Sequence, residues 1–147
     1  TSERVYQLNS MLREVFRRGT AKPAFAQMPA SLQPAGKTGT TNELRDSWFA
    51  GFTGDYLGVV WMGRDDNQPA GLTGAEGALK VWSATMNAVS REPLELDPPE
   101  EIEMIWVDGV RGGRAAEGCP GAIEMPFIRG HGPDRSSGCG PSAEKHE

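Results

Sequence analysis

The sequence predicts an α+β fold: a central antiparallel sheet flanked by helices, with a small extension after it. Three observations carry this. An apolar stripe at helical spacing opens the chain, three short strand-like runs with tight connections follow, and a second amphipathic stretch closes the segment. With 147 residues, 37% hydrophobic and 24% charged, the chain is long enough for an ordinary domain with its own core.

The first helix is expected over 3–18. Val5, Leu8, Leu12, Val15 and Phe16 form its apolar stripe, Ser2 serves as N-cap, and Gly19 stands where a left-handed C′ residue ends many helices. Residues 20–34 read as a Pro- and Ala-rich connection. Strand-like runs follow at 34–41, 46–53 and 56–63, with Gly54-Asp55 as a tight turn between the last two. Short connections make these strands antiparallel neighbours. The second and third runs are almost continuously apolar, which predicts cover on both faces of the sheet. Trp48, Trp61 and Trp82 are accordingly assigned to the core.

A polar loop over 64–73, including Arg64-Asp65-Asp66 as a solvated turn, leads to a second helix at about 74–91. Leu79, Trp82, Met86 and Val89 form its buried face, Ala75, Ala78 and Ala84 permit close approach, and Glu92-Pro93 ends it. The first domain segment is therefore 1–93, and 94–147 is a Pro/Gly-rich extension. Within it, Ile102–Val110 is expected to form a short hairpin turning at Asp108-Gly109, and the last ten residues or so read as disordered.

Composition narrows the functional classes. The net charge of −5, with no basic block, argues against nucleic acid as a partner. No apolar run approaches the ~20 residues needed to span a bilayer, and no signal peptide is recognisable. Thr1 is not an initiator residue, so the chain reads as a piece of a longer protein. Cys119 and Cys139 form a disulfide in an oxidising compartment, or stay as two free thiols otherwise. His131 and His146 add no tight Cys/His pair, so no metal site is expected, and no cofactor is implied. His131, alone in a Gly-rich loop, is read as inert.

One segment stands out: Gln33-Pro34-Ala35-Gly36-Lys37-Thr38-Gly39-Thr40-Thr41-Asn42. Gly36-Lys37-Thr38 fails as a phosphate-binding loop, because Ser31 stands where glycine is required and strand rather than helix follows the lysine. Lys-Thr-Gly is instead one of three motifs in serine acyl-transfer enzymes that act on penicillins or D-alanyl-D-alanine. Its context, with Asp46-Ser47-Trp48-Phe49-Ala50-Gly51-Phe52 and Val59-Val60-Trp61-Met62-Gly63-Arg64-Asp65-Asp66, resembles the C-terminal part of the transpeptidase domain of class A, bifunctional penicillin-binding proteins. The likeness covers about residues 1–92. The acidic Pro-Pro linker and cysteine-containing tail are most similar to the 1b type.

The resemblance implies a serine D-Ala-D-Ala peptidase/β-lactamase-like architecture and a peptidoglycan synthase at the periplasmic face of the bacterial inner membrane, with peptidoglycan stem peptides and β-lactams as ligands. The parent would also polymerise glycan strands. It implies roles for Lys37, as positive charge beside the substrate carboxylate and proton relay, and for the Thr38 and Thr40 hydroxyls, as carboxylate anchors. Gly39 would admit the substrate backbone, and the Thr40 N–H would serve as an oxyanion donor. Strict alternation places Thr38 and Thr40 on one face and Lys37 and Gly39 on the other, so a shared cleft requires an edge strand or strong twist. Asn42, Glu43 and Arg45 are candidates for the cleft's margin.

Two partner motifs are missing. There is no Ser-x-Asn, and the lone Ser-x-x-Lys, Ser142-Ala143-Glu144-Lys145, follows the Lys-Thr-Gly motif in a tail without helix or core, and is read as coincidence. The nucleophilic serine is thus expected elsewhere in the polypeptide. Two alternatives stay open: a D,D-carboxypeptidase or β-lactamase of the same architecture, and a catalytically dead sensor module. The extension could bind cell-wall regulators.

Overall fold

The structure, a computed structural model, describes residues 1–140. The chain divides into two units: Leu8–Leu96, and Thr1–Gln7 together with the chain from Asp97 onward. Helix α1 (Ser2–Arg17) contributes to both. The larger unit then runs through short 3-10 turns at Lys22–Ala26 and Ala30–Leu32 to β1 (Ala35–Thr40), β2 (Ser47–Phe52), β3 (Leu57–Met62) and α2 (Ala78–Val89). The strands form one antiparallel sheet in the order β1-β2-β3, so the sheet order follows the chain and β1 lies at an edge.

The register creates the main packing feature. Gly36 pairs with Gly51, and Gly51 pairs with Gly58, which lays a row of glycines across all three strands. Aromatic rings fill this trough. A Cβ at Gly51 would sit 2.7 Å from the Phe49 ring and 2.9 Å from Trp82, and one at Gly36 would sit 2.8 Å from Phe49. Phe16 of α1, Phe49 of β2 and Trp82 of α2 meet there, all fully buried, with centroids 5.0–5.7 Å apart. The Trp82 indole N–H donates to the Gly58 carbonyl at 3.1 Å, which satisfies its polar atom inside the core. Burying each such ring contributes about 1.5–3 kcal/mol.

Both helices thus pack on one face of the sheet, and the expected cover on both faces is not found among the described residues. Burial alternates strictly along β2, with Ser47, Phe49 and Gly51 buried and Trp48 and Ala50 exposed. Leu57, Val59 and Trp61 are exposed on β3. Trp48 and Trp61 are 42% and 48% exposed, so only Trp82 of the three tryptophans assigned to the core belongs there. The near-continuous apolar pattern reported apolar side chains on both faces, not cover for both.

Smaller corrections have local causes. Ser2 lies inside α1, and the Val5 N–H bonds the Thr1 carbonyl, so Thr1 precedes the first turn. Gly19 is not left-handed; it is small because a Cβ would lie 2.8 Å from Val15 Cα, where the chain folds back and the Ala21 N–H bonds the Val15 carbonyl. Val5 and Leu8 of the expected stripe are exposed. Helix α2 begins four residues later than expected, and Val89 and Ala84 face solvent.

In the smaller unit, β4 (Ile102–Asp108) pairs antiparallel with β5 (Ala122–Ile128), and Ile102, Ile105 and Val107 are buried. The expected two-residue turn at Asp108-Gly109 does not occur. Asp108 instead accepts the Val110 and Arg111 N–H groups at 2.8 and 2.9 Å and starts a long connection to Ala122. Pro126 hid β5 from sequence reading. The Arg129–Glu101 and Gly109–Gly121 bonds set the ladder, which points the Pro126 backbone to the outer edge, where a missing N–H costs nothing. Cys119 and Cys139 are joined, with Cα atoms 6.0 Å apart and a sequence separation of 20. Such a closure stabilises by about 2–4 kcal/mol, chiefly by restricting the unfolded chain. Residues 142–145 and His146 lie outside the described residues.

Beyond β2, the Gly54-Asp55 turn is fastened to the end of α2. Asp55 accepts the Ser90 hydroxyl and, at 2.8 Å, the Arg91 N–H, while the Gly54 N–H bonds the Glu92 carbonyl. Desolvation pushes the Asp55 carboxyl up, but hydrogen bonds from Ser90, Arg91, Thr53 and Glu92 outweigh it and hold the group down at about 2, from an ordinary 3.8. A depressed folded value stabilises above the unfolded value and is lost as pH falls through the folded one. Melting temperature should therefore drop as pH falls from about 4 to about 2. Asp55→Asn should remove part of that drop, as followed by circular dichroism.

Candidate active site

The Lys37-Thr38-Gly39-Thr40 segment occupies the outer half of β1, and Lys37 continues a strand, so no phosphate loop exists here. Register fixes its faces. Thr38 pairs with Phe49 and Thr40 with Ser47, both buried under the helices, so the two threonines point to the helix side. Lys37 and Gly39 pair with Ala50 and Trp48 and lie on the open face.

The same ladder fixes the backbone. The Thr41 N–H bonds the Asp46 carbonyl at 3.2 Å, so by alternation the backbone groups of Lys37 and Gly39 face β2. Those of Thr38 and Thr40 face the open edge. Lys37 exploits this. Its side chain starts on the open face, yet Nζ donates to the Thr38 carbonyl at 2.8 Å, wrapping around the edge. An edge strand and a long flexible side chain therefore bring groups from both faces together, as the alternation of the sequence demands.

Each threonine hydroxyl meets a polar group from another segment. Thr38 Oγ1 lies 2.8 Å from Thr20 Oγ1, in the connection after α1. Thr40 Oγ1 accepts the Gly74 N–H at 2.9 Å. Gly74 has no room for a side chain: a Cβ would lie 2.6 Å from the Gly39 carbonyl oxygen and 2.8 Å from that of Trp48. Thr73 and Glu76 fix this turn reciprocally, since Thr73 N–H and Oγ1 donate to the Glu76 carboxylate and the Glu76 N–H donates to Thr73 Oγ1. The Thr73 hydroxyl and N–H hold the Glu76 carboxyl below its usual range. Buried Ser47 completes the clasp by donating to the Thr73 carbonyl at 2.8 Å and accepting the Ala78 N–H at 2.9 Å.

At the end of β1, Asp46 holds the turn into β2. Its carboxylate accepts the Thr41 hydroxyl at 3.0 Å and the Trp61 indole N–H at 2.9 Å. Between them Glu43 and Leu44 both adopt left-handed backbone, at φ 59° and 55°, and Arg45 pairs with Glu43 rather than with the motif. The supporting roles of Thr20, Asp46, Ser47 and Gly74 escaped sequence reading: Asp46 and Ser47 stood there only as part of the motif's context, and the partners of Thr20, Ser47 and Gly74 are distant in the chain. Among the described residues no group of three or more His, Cys, Asp or Glu could hold a metal ion.

No family model matches the chain. Penicillin-binding protein 1B of Haemophilus influenzae is 40% identical over 106 residues, covering 72% of this chain and 13% of its own length. Penicillin-binding protein 1B of Escherichia coli K12 is 43% identical over 97 residues, covering 66% of this chain and 11% of its own length. A crystal structure of penicillin-binding protein 1A from Haemophilus influenzae superposes with a TM-score of 0.77 at 26% identity, covering 92% of this chain and 21% of that one. The chain is recognised as a fragment of a class A penicillin-binding protein, from the transpeptidase region. Within that class it is most like the 1b type.

Ser47→Ala would leave the buried Ala78 N–H unpaired, while the Thr73 carbonyl keeps the Glu76 and Gly77 N–H groups, at a cost of about 1–3 kcal/mol. Urea unfolding should show a lower midpoint with an unchanged slope.

Proposed function

We propose that this chain forms one wall of the D,D-transpeptidase site of a peptidoglycan synthase, and that the rest of the same polypeptide supplies the nucleophilic serine. The supporting observation is the open edge of β1, where the Thr40 N–H, the Thr38 carbonyl and Lys37 Nζ converge. A stem peptide or β-lactam lying along that edge meets a cation, two hydroxyls and an outward N–H. The cation and hydroxyls suit a terminal carboxylate, and the N–H suits the oxyanion of an acyl-transfer intermediate. Gly39 leaves the open face free beside them. The serine attacks the carbonyl between the two D-alanines, D-alanine leaves, and an amine of a neighbouring stem takes the acyl group to form the cross-link.

The unpartnered sheet face fits a fragment. Leu57, Val59, Trp61 and Trp48 are exposed and find no cover among the described residues, and the chain spans 11–15% of the length of four curated relatives that it matches. The remaining polypeptide, carrying Ser-x-x-Lys and Ser-x-Asn, is the proposed cover. The Cys119–Cys139 disulfide suits an oxidising compartment such as the periplasm. No helix among the described residues is long and apolar enough to cross a membrane, so a membrane anchor is assigned to the remainder. Segment 1–93 belongs to the catalytic domain in this reading, and 94–147 is an appendage available to cell-wall regulators.

In the full-length protein, Lys37→Ala and Thr38→Val should each slow acylation by labelled penicillin about 10-fold to 1000-fold. Cross-linked stem dimers should fall in parallel while glycan polymerisation continues. Unchanged acylation in both variants would overturn the reading, and release of D-alanine without dimers would favour a carboxypeptidase.

A further inference from the structure

Resting on that reading, we propose that Thr20 is a positioning residue that turns the Thr38 hydroxyl into a donor toward the carboxylate of the bound ligand, as the Gly74 N–H does for Thr40.

A threonine hydroxyl has one proton and two lone pairs, and it rotates to suit its neighbours. A carboxylate can only accept. A useful anchor must therefore spend its proton on the ligand and take any other hydrogen bond as acceptor. Thr40 is already committed this way: Gly74 N–H can only donate, so Thr40 Oγ1 accepts at 2.9 Å and keeps its proton free. For Thr38 the partner is another hydroxyl, Thr20 Oγ1 at 2.8 Å, and either atom can donate. The pair is a two-state element. With an anion at the edge, Thr38 must donate outward, and Thr20 must then donate to Thr38. This chain of aligned hydroxyls strengthens the outer bond, since each donor polarises the next.

The two partners come from different parts of the fold, one after α1 and one before α2, and both approach β1 from the helix side. The open edge is thereby left to the ligand. Gly74 acts through its backbone and is hemmed in by Gly39 and Trp48, so it offers no clean substitution. Thr20 is exposed and off the strand, so its hydroxyl can be removed with little effect on the core. It touches no reacting atom.

The test uses the full-length protein and two probes, benzylpenicillin and its methyl ester, which lacks the anionic carboxylate. Thr20→Val should lower the second-order acylation rate constant for benzylpenicillin about two- to tenfold, the size of one neutral hydrogen bond. The constant for the ester should stay unchanged, and Thr20→Ser should restore the wild-type ratio. Equal losses on both probes, or no loss on either, would overturn the inference. Thr38→Val separates it from the underlying reading. If that variant also fails to discriminate between the probes, the motif does not bind the carboxylate at all. If it discriminates while Thr20→Val does not, only the role of Thr20 falls.

Discussion

The seat of Trp82 on the glycine row is the constraint on which the larger unit depends. Three strands present Gly36, Gly51 and Gly58 in register, and the indole lies on that floor with its N–H on the Gly58 carbonyl. Phe49 and Phe16 close around it, so one contact ties α1, the sheet and α2 together. Any side chain on the row would lift a ring off the sheet. Overpacking of this kind typically costs about 1–3 kcal/mol.

Placing both helices on one face has a functional consequence. The connection after α1 and the turn before α2 reach β1 only from the helix side, where they bind the two motif hydroxyls. Nothing else in the larger unit pairs with the outer edge of β1. The edge therefore keeps its backbone groups and the wrapped lysine available. Edge strands usually carry a risk of unwanted pairing. In the proposed function the exposed ladder is the means of recognition, because an extended peptide can lie along it while side chains from both faces contribute.

Much of this was legible in the sequence. The two helices and three strands stand within a few residues of their expected positions, since periodicity marks each element, although the expected caps at Ser2 and Gly19 and the start of α2 differ. The motif, too, was readable, and its alternation already demanded an edge. What stayed hidden depends on register. The glycine row is invisible until Gly36, Gly51 and Gly58 are aligned across strands, and in linear sequence each glycine only weakens a strand. Trp48 and Trp61 misled because apolar character does not reveal whether a covering layer belongs to the same segment. In the smaller unit Pro126 suppressed the β5 signal, although its position on the outer edge makes proline harmless there.

The central claim is that β1 is an open edge whose Thr40 N–H is held ready for the ligand. Amide hydrogen exchange in the full-length protein, before and after acylation by penicillin, tests this most directly. The account predicts slow exchange at Lys37 and Gly39 in both states, fast exchange at Thr40 in the free protein, and marked protection of Thr40 on acylation. A Thr40 amide already protected in the free protein, or one unaffected by acylation, would contradict it.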